Sequence, residues 1–206
     1  MHLIFDLDGT LIDSRPGIVE SLQYATSSAL GISINCDKIG IGPPINIMIK
    51  ELFPDISEQN MKNILENFRC HYDTKGWKNF SVYPDVIETL KELNKKNHLF
   101  IATNKPEKPT LKILTNMNIL SIFDKVFCYS NERYNNKTDM VSKIKSNSIY
   151  KYKLIGDSSD DFVAASNNNI DFIHCSYGYG YVDSSKISLK QKIEKFEDLL
   201  KLIGDI

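Results

Sequence analysis

The chain has 206 residues, 42% of them hydrophobic and 25% charged, with 25 Lys+Arg against 26 Asp+Glu and a formal net charge of −1. This is the usage of a globular chain with a real core, too apolar for disorder and without the basic excess that a nucleic-acid-binding face requires. The length fits one domain or two small ones, and the near-neutral charge points to a small partner rather than nucleic acid.

The first residues, Met-His-Leu-Ile-Phe, run straight into Asp6 and Asp8, which leaves no room for the apolar core of a signal peptide. A cytoplasmic protein is expected, in which the N-x-S/T matches at Asn79 and Asn136 carry no glycan. The uncharged stretch 39–49 is broken by Pro43-Pro44 and is short of the roughly 20 residues a membrane span needs, so no membrane association is expected. Cys36, Cys70, Cys128 and Cys175 have no close C-x-x-C spacing and read as reduced, mostly core thiols.

Residues 3–6 read as a strand that ends in Asp6-Leu7-Asp8-Gly9-Thr10. The next segment, about 13–83, shows helical patterns and no convincing strand. Ser14 can cap a helix that buries Ile18, Leu22, Ala25 and Ala29 and stops at Gly31. The run Gly40-Ile41-Gly42-Pro43-Pro44 reads as a loop, either facing a substrate or simply joining helices. Ser57 can cap a second helix with Met61, Ile64, Leu65, Phe68 and Tyr72 on one stripe, and Tyr72 and Trp77 read as core of this segment. Arg69 lies on that helix, where its planar fork suits a carboxylate or serves only the surface.

From about residue 84 onward, short apolar runs alternate with helical patterns. Strands are predicted over 98–102, 125–128, 152–156 and 171–174. They lack period-2 alternation, as in strands covered on both faces of a parallel sheet. A capped helix is predicted at Pro84-Asp85, with Glu88 three residues after Asp85 and Val86, Leu90 and Leu93 following, and others over 107–117 with Pro109 in its first turn, over 138–144, and over 192–203 with Phe196, Leu199, Leu200 and Ile203 at helical spacing. The fold class is therefore α/β with a Rossmann-like parallel sheet, carrying a helical insert after the first strand: core residues 1–12 and 84–206, insert 13–83.

The chemistry-bearing residues follow the ends of these strands. Asp6 and Asp8 share one strand face, and two carboxylates so close need a proton or a hard divalent cation between them. A plain solvated turn is the other reading. Asp157 and Asp161 follow the run 152–156, as metal ligand and support or as an acidic helix start. Thr103, Asn104 and Lys105 follow the run 98–102, and Lys137 follows the run 125–128; a hydroxyl, an amide and ammonium groups suit phosphate oxygens. Ligands of parallel α/β sheets bind at these carboxyl ends. His2, His71, His98 and His174 do not cluster and take no role, and Lys143, Lys145, Lys151 and Lys153 read as a solvated face.

These four segments, in this order, resemble the motifs of the haloacid dehalogenase-like (HAD) hydrolase superfamily, and the chain resembles its phosphoglycolate phosphatase-like branch with a small helical (C1-type) cap. Phe68-Arg69, Tyr83-Pro84, Thr103-Asn104-Lys105-Pro106 and Tyr177-Gly178-Tyr179-Gly180 add to the likeness. Thr138 stands where Pro often follows the lysine, and Asn169 where Gly is common before the fifth strand.

The resemblance implies Asp6 as nucleophile forming an aspartyl-phosphate and Asp8 as acid and base. It implies Mg²⁺ on the Asp6 carboxylate, the Asp8 main-chain carbonyl and Asp157, supported by Asp161. Thr103, the Asn104 amide and Lys137 would hold the phosphoryl group, with Gly42 and Arg69 of the insert on the substrate side. Asp8 favours phosphoryl transfer over dehalogenation, since a halide leaves without a proton. The expected activity is a Mg²⁺-dependent phosphatase acting on a small phosphorylated metabolite, phosphoglycolate first, in a monomer or homodimer. A β-phosphoglucomutase-like phosphotransferase and a non-catalytic phospho-ligand-binding module are the alternatives.

Overall fold

The computed structural model describes residues 1–35, 41–130, 133–134, 136–145, 149–183, 185, 187–188 and 191–204. The chain forms two compact units, Met1–Asp13 with Val82–Ile206, and Ser14–Ser81.

The first unit is an α/β domain. Its strands are β1 (His2–Phe5), β4 (His98–Pro106), β5 (Lys125–Tyr129), β6 (Tyr152–Gly156), β7 (Asp171–Cys175) and β8 (Lys192–Ile193), in the order β5-β4-β1-β6-β7-β8 with every pairing parallel. Counted along the sheet in chain order this is 3-2-1-4-5-6, the doubly wound order, with its switch point between β1 and β6. The central strands are apolar on both faces because helices cover both: Leu3, Ile4 and Phe5 of β1 and Leu154 and Ile155 of β6 are fully buried. The covering helices include α4 (Val86–Asn94), α5 (Glu107–Asn116), α6 (Lys137–Ile144), α7 (Ser159–Asn167) and α8 (Asp198–Gly204). Asn169 adopts φ 50°, the left-handed conformation that Asn tolerates, so its replacement of Gly leaves the turn into β7 intact.

The second unit is helical, with α1 (Arg15–Leu30), α2 (Ile45–Leu52) and α3 (Glu58–Thr74). Gly31 closes α1 at φ 69°. The Ser57 hydroxyl caps α3 by accepting from the Asn60 N–H, and α3 buries Ile64, Phe68, His71 and Tyr72. Tyr72 stacks on Phe68, while Trp77 is only half-buried.

Several expectations need correction. The predicted helix over 192–203 divides: Lys192–Ile193 pairs with β7 as β8, the Ile193 carbonyl accepts from both the N–H and the hydroxyl of Ser176, and the helix starts only at Asp198, whose carboxylate accepts from the Lys195 N–H. The segment 13–83, read as strand-free, contains one short strand, β3 (Ser81–Val82), which forms a two-stranded ladder with β2 (Ile12–Asp13) at its start. Ser14 and Asp85 occupy N-cap positions without a capping side-chain hydrogen bond, Asp85 because it sits at φ 60°. Ala29 is half-buried rather than core, and Cys70 is exposed while Cys128 and Cys175 are buried; Cys36 and Gly40 lie outside the described residues. His2 and His98, far apart in sequence, stack at 4.9 Å because β1 and β4 are neighbours in register. No helix among the described residues is long and apolar enough to cross a membrane.

Phe196, fully enclosed just before α8, packs against Phe5 with ring centroids 6.0 Å apart. Phe196→Ala is expected to destabilise the protein by about 3–5 kcal/mol, read as a lower urea midpoint at unchanged slope.

Candidate active site

The carboxyl ends of β1, β4, β5 and β6 converge on one cluster. Asp6, one residue past β1, and Asp157, one residue past β6, are 5% and 2% exposed, and Asp161 in the first turn of α7 is fully buried. One oxygen of each of these carboxylates lies within 4.8 Å of the other two. Lys137, the first residue of α6 and also buried, donates from Nζ to Asp6 Oδ1 at 2.8 Å and to Asp161 Oδ1 at 2.7 Å. The Asp161 carboxylate additionally accepts from the Ser158 N–H and hydroxyl, while Ser158 Oγ accepts from the Asp161 N–H, a reciprocal cap that locks α7 onto the end of β6.

Two glycine-bearing loops close around Asp157. Gly9 turns at φ 86°, and a Cβ there would fall 2.0 Å from Asp157 Oδ2. A Cβ on Gly178 would fall 2.4 Å from both the Asp157 Cβ and the Gly9 carbonyl oxygen. Backbone this close to a carboxylate is possible only where no side chain intervenes. The Gly180 N–H donates to Asp157 Oδ2 at 2.7 Å, and the Tyr177 hydroxyl donates to the Thr10 carbonyl at 2.8 Å, tying the loop after β7 to the loop after β1.

Burial raises the Asp157 carboxyl from about 3.8 to about 7, with the Asp161 charge adding to it and the Gly180 N–H opposing. Burial likewise pushes Asp6 well above the carboxylate range; Lys137 opposes this, and Asp161 and Asp157 reinforce it. For Lys137 burial alone would favour the neutral amine, but Asp161 and Asp6 outweigh it and hold the ammonium protonated. Once all three carboxylates ionise, one ammonium leaves two negative charges uncompensated. A divalent cation with oxygen ligands matches that deficit in charge and in donor chemistry, so Asp6, Asp157 and Asp161 fit a metal.

The other predicted residues take distinct places. Asp8, 15% exposed at its side chain, pairs with Lys105 Nζ at 3.1 Å, and Lys105 is itself 5% exposed. Thr103, 1% exposed, accepts from the Lys105 N–H at Oγ1 (3.1 Å), so its own hydroxyl hydrogen remains for another acceptor. The β4–β5 register shifts between Thr103 and Pro106. The Asn104 side-chain amide donates to Asp160. Gly42 and Arg69 belong to the helical unit, Gly42 at φ 141° with open space where a Cβ would stand, and Arg69 exposed on α3. Two singled-out segments take roles the sequence reading did not give them: Lys105, read as a phosphate donor, pairs with Asp8, and the run Tyr177-Gly178-Tyr179-Gly180, noted only for its likeness, brings its backbone against Asp157.

The sequence matches the haloacid dehalogenase-like hydrolase family over residues 3–175, and the chain belongs to that family. It is 27% identical to a phosphoglycolate phosphatase of Agrobacterium fabrum, with 95% of this chain and 89% of the relative covered. It is 25% identical to the tyrosine-protein kinase PtkA of Mycobacterium tuberculosis, over 98% of this chain and 72% of the relative. Among solved structures, a predicted phosphatase from Clostridium acetobutylicum superposes with a TM-score of 0.87 at 26% identity, covering 100% of this chain and 98% of that one.

Two outcomes follow from this geometry. Because the folded protein holds the Asp157 proton to about 7 rather than 3.8, the metal-free fold loses stability as pH rises through that window, and a bound dication removes the loss. The gain in thermal midpoint on adding Mg²⁺ to chelator-treated protein should therefore be larger near pH 7.5 than near pH 5.5; equal gains would contradict the charge deficit. Gly178→Ala, by pressing on Asp157, should weaken Mg²⁺ binding about tenfold or more in a calorimetric titration.

Proposed function

We propose that this protein is a cytoplasmic Mg²⁺-dependent phosphatase that hydrolyses the phosphomonoester of a small metabolite, phosphoglycolate being the first substrate to test. The observation that carries this reading is the placing of Asp6 against Lys137 with Asp8 as a separate, more exposed carboxylate of the same loop. A nucleophile and an acid/base on one loop have no use in a module that only binds.

The Asp6 carboxylate attacks phosphorus in line, the ester P–O bond breaks, and Asp8 gives its proton to the leaving oxygen. Asp8 then takes a proton from water, which attacks the phosphoryl group on Asp6 and releases inorganic phosphate. Lys137, the Thr103 hydroxyl and the Asn104 amide hold the phosphoryl oxygens, and most of the rate comes from this positioning and charge stabilisation. Asp6, Asp157 and the Asp8 main-chain carbonyl would hold the metal, with Asp161 in support; when bound, Mg²⁺ supplies charge neutralisation at the phosphoryl oxygens. The helical unit would act as a cap, with Gly42 and Arg69 facing substrate.

A phosphotransferase shares all of these residues, and the likeness to a protein named as a kinase favours keeping it as the second reading. Incubation with glucose 1-phosphate and its bisphosphate separates the two: isomerisation marks the mutase, and release of inorganic phosphate marks the hydrolase.

Wild-type protein with Mg²⁺ should hydrolyse p-nitrophenyl phosphate, and Asp6→Asn should abolish turnover, a loss of at least about 10³-fold. Retained turnover in Asp6→Asn would sink the mechanism. Lys105→Met removes the partner that orients Asp8. Its kcat should fall about tenfold on alkyl phosphates, which need leaving-group protonation, and much less on p-nitrophenyl phosphate, which does not.

A further inference from the structure

Among the described residues β5 is the edge of the sheet: it pairs with β4 on one side and with no strand on the other, and a groove of about 700 Å³ lies against it. Successive side chains of a strand point to opposite faces, so a pocket on one face is lined by every second residue. This groove is lined by every residue from 125 to 130, which places it along the strand's edge, where backbone N–H and C=O groups point outward.

Charge selects the occupant. Among the described residues Lys125, Arg133 and Lys143 line the groove, against one carboxylate, that of Glu107. Among the described residues none of these three cations has an ion pair or a side-chain hydrogen bond, whereas Lys95, Lys105, Lys137 and Lys153 each reach a carboxylate. Lys143, read from sequence as part of a solvated basic face, thus belongs to a concave surface with a net positive lining.

We propose that the edge of β5 is a docking site for an extended acidic segment of a partner protein, which adds as a strand beside β5 and sets its carboxylates against Lys125, Arg133 and Lys143. A second copy of this chain fits poorly, because each copy would bring the same three cations to the joint. Edge lysines deter neutral strands from pairing, and an acidic strand converts the same charges into contacts.

The test uses the full chain at low ionic strength and a fluorescein-labelled peptide of alternating glutamate and valine, followed by anisotropy. Saturable binding is expected, weakening as salt is raised and falling about tenfold or more in the triple variant Lys125→Glu, Arg133→Glu, Lys143→Glu. Backbone amides of the β5 edge should exchange more slowly when the peptide is bound. A peptide of equal charge with proline in place of valine, lacking the N–H groups a strand needs, should bind clearly less. The thermal midpoint of the triple variant shows whether it is folded, and the single variants repeat the comparison if it is not. The proposal is overturned by absence of binding, by unchanged affinity on charge reversal, by equal binding of the proline peptide, by unprotected β5 amides, or by a wild-type dimer that the charge reversal dissociates.

Discussion

The Lys137 ammonium is the contact on which the acidic end of the sheet depends. A carboxylate taken out of water costs several kcal/mol unless it is paired, and Asp6 and Asp161 are both buried against the same Nζ. Those two residues come from the end of β1 and the first turn of α7, and Lys137 from the start of α6. One cation therefore ties together three chain crossings at the switch point of the sheet. It neutralises one charge of three, and the remaining two set the demand for a dication there.

The site has two electrostatic compartments. In one, Asp6 and Asp161 share Lys137 with Asp157 beside them, and the loops at Gly9 and Gly178 press backbone against Asp157, so that its environment is set by peptide dipoles rather than by water. In the other, Asp8 and Lys105 form a pair with no net charge. Two adjacent carboxylates of one loop thus meet different surroundings: Asp6 is buried in a crowded acidic cluster around Lys137, and Asp8 is kept partly exposed beside its own cation. Divergent environments of this kind allow one carboxylate to attack while its neighbour moves protons.

Much of this was legible in the sequence, for identifiable reasons. The central strands β1 and β6 are buried on both faces, and that leaves continuous apolar runs such as Leu3-Ile4-Phe5 whose polar successors mark the site. β2, β3 and β8 have two residues each, too few for any pattern, and Lys192–Ile193 sits beside residues with helical spacing that masked it. The Asp8–Lys105 pair could not be read locally, because only the parallel pairing of β1 with β4 brings the two loops together. The histidine stack of His2 on His98 was hidden by the same long-range pairing. Asp85 followed a capping pattern but lies in the left-handed region, where its side chain cannot reach the N–H groups it was expected to cap.

Local preference and tertiary demand conflict at one place, and that place is the site. α7 begins with Asp160 and Asp161, as the positive end of a helix dipole favours. α6 begins with a lysine in the corresponding turn, buried and against the dipole, with its helix capped instead by the Asn136 side chain. Neither propensity nor solvation favours an ammonium there; the carboxylates of Asp6 and Asp161, delivered by other strands, do. A residue that is costly in its own helix and indispensable to its neighbours is the pattern expected where a fold gives up local consistency for chemistry. The unpaired cations of the β5 edge differ in kind, since they are exposed, carry little burial cost and can persist without a partner until one arrives.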